Sequence, residues 1–211
     1  TRETAIAPSK HQGNAIFPID PQGGGTWLGV SHFGQTLALL NDYQSVFDIT
    51  AVKHSRGLLI PHLLSNKAPA LYQLQNMDLS GYAPFKLCIF PDGLSINNNN
   101  VVFVRWDAKQ LIYCQVEPLA TSSGVELETV TQKRKQQFKQ LIDLRHPESE
   151  QFLAFHYSKA EQGQYGVNML REDAMTVSIS HIKVGNTIRF NYFDKQSQLI
   201  SSIGCLKVAA A

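Results

Sequence analysis

The sequence predicts an α+β fold in a single domain spanning residues 1–211, with stacked, mainly antiparallel sheets flanked by helices. Three observations carry that prediction. Strand-like runs open the chain, amphipathic stretches occupy its middle, and strand-like runs return at the end. The order lacks the strict strand-helix-strand rhythm of a parallel α/β fold. A hydrophobic content of 43% over 211 residues is enough to bury one sizeable core.

Residues 1–23 carry Pro8, Pro18 and Pro21 among polar residues, with only Ala15, Ile16 and Phe17 as an apolar anchor, so an irregular extended loop over the core is expected. From Thr26 to Asn41 two strand-like runs flank a turn in which Gly34 supplies the positive φ, a β-hairpin. Gly23-Gly24-Gly25 then reads as a Gly-rich approach to a packed strand, because a phosphate-cradling loop would precede a helix. Ser55 caps a segment from Gly57 to Ser65 in which Leu58, Leu59, His62 and Leu63 repeat at helical spacing, with Pro61 expected to kink it. A second short helix fits Pro69 to Leu74. FKLCIF (85–90), VVFVRW (101–106) and QLIYCQV (110–116), separated by turn-forming residues, predict three sequential antiparallel strands.

From Thr129 to Leu144, Val130, Phe138, Leu141 and Ile142 form an apolar stripe, with Lys133, Arg134, Lys135 and Lys139 around it as a solvated face. Pro147, Glu148 and Glu150 open another helix ending near Ser158, whose buried edge is Phe152 and Phe155. Gly163 and Gly166 break the chain. The last third supplies MTVSISHIKV, a Gly185-Asn186 turn, TIRFNYF and LISSIGCLKV, a hairpin with a further strand. Ala209, Ala210 and Ala211 read as a frayed end.

Nineteen Lys and Arg against 17 Asp and Glu give a formal charge of +2, too small to argue for a nucleic-acid or anionic-membrane partner. No apolar run approaches the roughly 18 residues of a membrane span. Cys88, Cys114 and Cys205 are odd in number, widely spaced and set in apolar runs, which reads as reduced thiols and a cytoplasmic location. There is no Walker-type loop, HExxH, GxSxG or zinc-spaced Cys-His cluster, so no cofactor and no metal is expected. Asn41 stands where an apolar strand meets a loop, a position from which a side-chain amide can donate to a developing oxyanion, although from the residue alone a turn-former is the preferred reading. Arg56, at a helix start, could hold a carboxylate or phosphate, and its bland reading is a solvated side chain after a cap. Ser122 and Ser123 have no neighbouring His or Lys to activate them. Arg171, Glu172 and Asp173 form a charged cluster that could line a cleft mouth or simply connect two elements.

GGTWLGV (24–30), ALLN (38–41), SRGLL (55–59), the TSS loop with the KRKQQF helix (121–138) and LREDAMTVS (170–178) resemble, in order and spacing, the NRDE family of transport and Golgi organisation proteins. Arg2, Ala5, Ile6 and Pro8 are similar to the stretch that follows the family's Asn-Arg-Asp-Glu string, so that string and the family's N-terminal strand are expected upstream of Thr1. The resemblance implies an αββα sandwich like that of N-terminal nucleophile hydrolases, whose Cys is exposed by removal of the initiator Met. In such a site the α-amine, with a reference pKa of about 7.7–8.0, serves as the base for the adjacent thiol. The strand ending in Asn41 and the IPHLL segment are also similar to the bile-salt and penicillin V amidases, which implies an oxyanion role for Asn41. Trp27, Arg56, Arg171 and Thr176 match family positions and are the candidate substrate-binding residues. Two activities are implied: hydrolysis of a small-molecule, non-peptide linear amide, or non-catalytic handling of an apolar ligand such as haem, acyl-CoA or lipid.

Overall fold

The computed structural model describes residues 5–10, 15–65, 67–95, 97–159, 163–196 and 198–209. Arg2 and the last two alanines of the expected frayed end lie outside them. Among the described residues ten strands form two antiparallel sheets. The larger holds β1 (Ile6–Lys10), β2 (Ala15–Ile19), β3 (Leu28–Ser31), β4 (Thr36–Asn41), β5 (Phe85–Phe90), β6 (Val102–Trp106) and β7 (Leu111–Cys114), in that order across the sheet. The smaller holds β8 (Ser178–Val184), β9 (Thr187–Asp194) and β10 (Leu199–Leu206), with β9 central, so β8 and β10 are its edges. The helices are α1 (Leu59–Leu64), α2 (Ala70–Gln75), α3 (Leu127–Leu141) and α4 (Ser149–Tyr157).

The α+β antiparallel expectation stands, and the hairpins at β3–β4, β5–β6–β7 and β8–β9 fall where the alternation put them; Gly34 has φ +96° in its turn. The expected loop over residues 1–23 is corrected: β1 and β2 pair as a hairpin on the edge of the large sheet. Its prolines are accommodated because β1 is an edge strand, and because the β1–β2 register shifts between Ile6 and Ser9, which leaves Pro18 beside an irregularity that needs no ladder N–H. Pro61 does not break α1, since it sits in the first turn, where an N–H has no intrahelical acceptor.

Strand alternation gives the large sheet two occupied faces. Leu37, Leu39, Phe85, Leu87, Ile89 and Val104 pack under Leu59, Ile60 and Leu63 of α1 and Leu74 of α2. On the other side, Ile16 and Val30 meet Ile188, Phe190 and Tyr192 of β9, joining the two sheets. A third cluster joins Phe138 of α3, Phe155 of α4 and Ile142.

Two local constraints fix the end of the large sheet. The 3-10 turn Arg56–Leu58 lies directly on Gly25: Thr26 N–H donates to the Gly57 carbonyl at 2.8 Å, and a Cβ at Gly25 would stand 2.3 Å from the Gly57 carbonyl carbon. Asp42, whose side chain is fully buried, accepts from Arg105 Nε at 2.7 Å and from the Ser45 hydroxyl at 2.6 Å, while Arg105 Nη2 donates to Ser45 Oγ at 2.8 Å. Burial alone would raise the Asp42 carboxyl, but the bonds from Ser45 and Arg105 and the Gln44 N–H outweigh it and hold its pKa below the ordinary value.

Gly25→Ala should lower stability by at least about 2 kcal/mol, because the clashing atoms are backbone and cannot swing aside. Gly24→Ala should cost about 1 kcal/mol, because φ there is +64° with open space around a Cβ. Urea denaturation of the two variants checks the difference. Asp42→Asn should lower stability by about 2 kcal/mol at pH 7. The folded pKa lies below the unfolded value of about 3.9, so the wild-type advantage is complete above that value and disappears as pH falls through the folded one. Denaturation curves of both proteins should therefore converge in acid.

Candidate functional site

The structure sorts the five sequence-predicted residues into two groups. Asn41 ends β4 opposite Phe85, and its Nδ2 donates to the Tyr43 hydroxyl at 2.9 Å. Arg56 donates from Nη1 to the Pro84 carbonyl at 2.8 Å, the same carbonyl that accepts the Asp42 N–H at 3.3 Å. Arg56 is thus tied into the backbone next to Asn41 rather than standing in solvent. Trp27 joins them from β3's approach: its carbonyl accepts the Leu39 N–H at 2.8 Å, and its half-buried ring packs against the cluster between the sheets.

Arg171 and Thr176 form the second group. Arg171 forks onto Asp173, with Nε and Nη2 each 2.9 Å from a carboxylate oxygen. Thr176 Oγ1 accepts the Met169 N–H at 2.9 Å and donates to the Val167 carbonyl at 3.1 Å, so it pins the loop that leads into β8. Arg171, Glu172 and Asp173 line a shallow surface depression with Val125, Glu126, Gly163 and Leu170.

The TSS loop bridges the groups. Tyr43 lies against Gly124, within 3.8 Å of where a Cβ would stand. At the loop's other end Arg134 Nη1 donates to Thr121 Oγ1 at 2.7 Å and to the Ser122 carbonyl at 3.4 Å, and Nη2 donates to the Gly166 carbonyl at 3.0 Å. The sequence reading of Arg134 as part of a solvated helix face is corrected. It points inward between Val130 and Phe138, which are 1% and 6% exposed, and burial followed by Arg171 pushes its pKa below the ordinary value without discharging it.

Beside this rim lies a cleft of about 950 Å³ walled by Ala38 and Leu40 of β4, Cys88 and Phe90 of β5, the Pro118–Ala120 segment, Phe138 of α3, Phe152 and Phe155 of α4, and residues of β8. Ser180 and Ile182 line it together with His181 and Lys183, which alternate to the other face of the strand, so the cleft runs along the edge of β8 that is unpaired among the described residues. Asn41 shares the helix-facing side of β4 with Leu37 and Leu39, the face opposite Ala38 and Leu40, and so is not part of the cleft wall.

Two histidines that the sequence left scattered, His156 and His181, also line the cleft. Burial first and then Lys183, against the pull of Glu150, lower the His181 pKa and favour the neutral ring, whose Nδ1 has no partner among the described residues. The thiol in the cleft is a poor nucleophile at neutral pH: burial, and then Cys114, push Cys88 up to about 11. All three cysteines are free. Among the described residues no group of three or more His, Cys, Asp or Glu side chains could hold a metal ion, and no helix is long and apolar enough to cross a membrane.

No curated protein sequence matches the chain. The sequence profile of the family described as Transport and Golgi organisation 2 matches residues 1–189, a span that contains Asn41, the TSS loop, Arg134 and Arg171. The chain therefore belongs to the Transport and Golgi organisation 2 family, the NRDE family whose motifs its sequence carries.

Proposed function

We propose that the protein is a thiol-dependent hydrolase of linear, non-peptide amides, built as an αββα sandwich of the N-terminal nucleophile type. The observation that carries this reading is the Asn41 amide, held by Tyr43 at the end of β4, the strand whose Ala38 and Leu40 wall an apolar cleft. One Nδ2 hydrogen is engaged by Tyr43 at 2.9 Å, and the amide's second N–H is left to donate to an oxyanion. The buried Asp42–Arg105 pair holds the backbone of the next residue, so the donor is positioned before substrate arrives.

In this reading the nucleophile is the family's Cys, expected upstream of Thr1. Its α-amine takes the thiol proton, the thiolate attacks the amide carbonyl, and the tetrahedral oxyanion is held by Asn41 and a backbone N–H. The amine then leaves with the proton, and water attacks the thioester to release the acid. Trp27, Arg56, Arg171 and Thr176 shape the rim. Because Arg56 and Thr176 bond mainly to backbone, their contribution is to position loops around the substrate.

The apolar lining favours a second reading, a carrier of haem, acyl-CoA or lipid, since Leu40, Phe90, Leu119 and Phe152 would suit a hydrophobic guest without any chemistry.

The two separate experimentally. The full-length protein should carry Cys directly after its initiator Met and should hydrolyse members of a panel of N-acyl amides, with Cys→Ala abolishing turnover. Asn41→Ala should lower kcat about 10²–10³-fold with little change in KM. A processed N-terminus without Cys, or equal rates for wild type and Cys→Ala, defeats the hydrolase. Haem or acyl-CoA that co-purifies, or binds on titration, then supports the carrier.

A further inference from the structure

Among the described residues Arg134 has no counter-ion, and it stands where the helix pattern calls for an apolar side chain. Val130, Arg134 and Phe138 succeed one another at four-residue spacing on α3, and the first and last are buried. The other cations nearby are answered. Arg171 forks onto Asp173, Lys135 meets Glu117 at 2.5 Å, and Lys133 stands 3.8 Å from the centre of the Tyr165 ring. The nearby Glu126 is engaged by the Tyr165 hydroxyl at 2.9 Å.

Arg134 has only neutral acceptors, Thr121 Oγ1 and the carbonyls of Ser122 and Gly166, and among the described residues it forms no ion pair and its Nε no hydrogen bond. Carbonyl oxygens orient a guanidinium but do not neutralise it, and a second cation, Arg171, adds to the local positive potential. A side chain that served only to staple loops would not need that uncompensated charge.

Phe138, one turn further along the same stripe, lines the apolar cleft, and Ala120, next to Thr121, lines it too. The guanidinium is thus bonded to the residue that follows cleft-lining Ala120 and is carried one helical turn from cleft-lining Phe138. We propose that Arg134 binds the carboxylate of the substrate, so that the preferred ligand is an N-acyl amino acid with its acyl chain in the cleft and its carboxylate at the TSS loop. This rests on the hydrolase reading for the reaction, but the charge preference is a property of binding and is measurable without turnover. A carboxylate suits the site because Nη2 keeps one hydrogen beyond its bond to Gly166 for a charge-assisted hydrogen bond, and the partial exposure of Arg134 leaves an approach from the rim.

The test is calorimetric titration of the full-length protein with N-dodecanoylglycine, its uncharged methyl ester and dodecyl phosphate, followed by analysis for released glycine. The acid should bind at least about tenfold tighter than the ester, the factor of one charge-assisted hydrogen bond. Arg134→Met should reduce that ratio to near one while leaving ester affinity within a factor of about 2 of wild type. Equal affinity of wild type for acid and ester overturns the proposal without recourse to any variant, as does a ratio that survives in Arg134→Met. Dodecyl phosphate binding tighter than the acid overturns the carboxylate assignment in favour of a phosphate ligand. Failure to release glycine with the acid preference intact defeats the hydrolase reading and leaves the anion site standing.

Discussion

The backbone contact between Gly25 and Gly57 is the constraint on which the rest of the site depends. No side chain fits between the two chain segments, and the Thr26 N–H to Gly57 carbonyl bond, at 2.8 Å, closes the gap. That contact brings the start of β3 against the turn that carries Arg56. Arg56 reaches from there to the Pro84 carbonyl, and Pro84 holds Asp42 through the same oxygen. The GGTWLGV and SRGLL motifs, about 30 residues apart in sequence, are thus two halves of one joint. Their glycines are required by close approach of backbone to backbone.

From that joint the order runs outward to Asn41. Its neighbour Asp42 is buried and bonded to Arg105 and Ser45, its own side chain is held by Tyr43, and Tyr43 rests on Gly124 of the TSS loop. A donor that is fixed by its surroundings loses little entropy when it meets an oxyanion, which is the condition under which such donors are effective. The other face of β4, through Ala38 and Leu40, walls the apolar cleft, and Arg134 ties the far end of the TSS loop to α3.

Much of the fold was legible because its strands obey period two. FKLCIF buries alternate residues as written, and the β3–β4 and β8–β9 hairpins carry their turn residues at Gly34 and Gly185-Asn186. The β1–β2 hairpin was hidden by its prolines, which signal loop in isolation and are harmless at a sheet edge beside a register shift. Asn41 was legible as a strand-ending amide. The cleft was not, because its walls come from β4, β5, α3, α4 and β8, and only tertiary packing brings Leu40, Phe138 and His181 together.

Arg134 shows where the pattern was present and was misread. Inside the run Lys133-Arg134-Lys135 it looks like one more solvated cation, and composition supports that. Helical spacing says otherwise: counting four back from Phe138 and four on from Val130 reaches the same position, so an inward-facing arginine was written in the stripe. A lysine or leucine there could pack equally well, and a leucine would avoid the desolvation that lowers the arginine's pKa. An interior cation in a stripe otherwise occupied by Val and Phe is a cost to folding that packing does not repay. Its flanking lysines face other partners, Lys133 the Tyr165 ring and Lys135 the Glu117 carboxylate, so the three residues of one charge run serve three different surfaces. The cation that faces inward is the one aligned with the cleft, and that alignment makes position 134, rather than the charge run as a whole, the informative feature of α3.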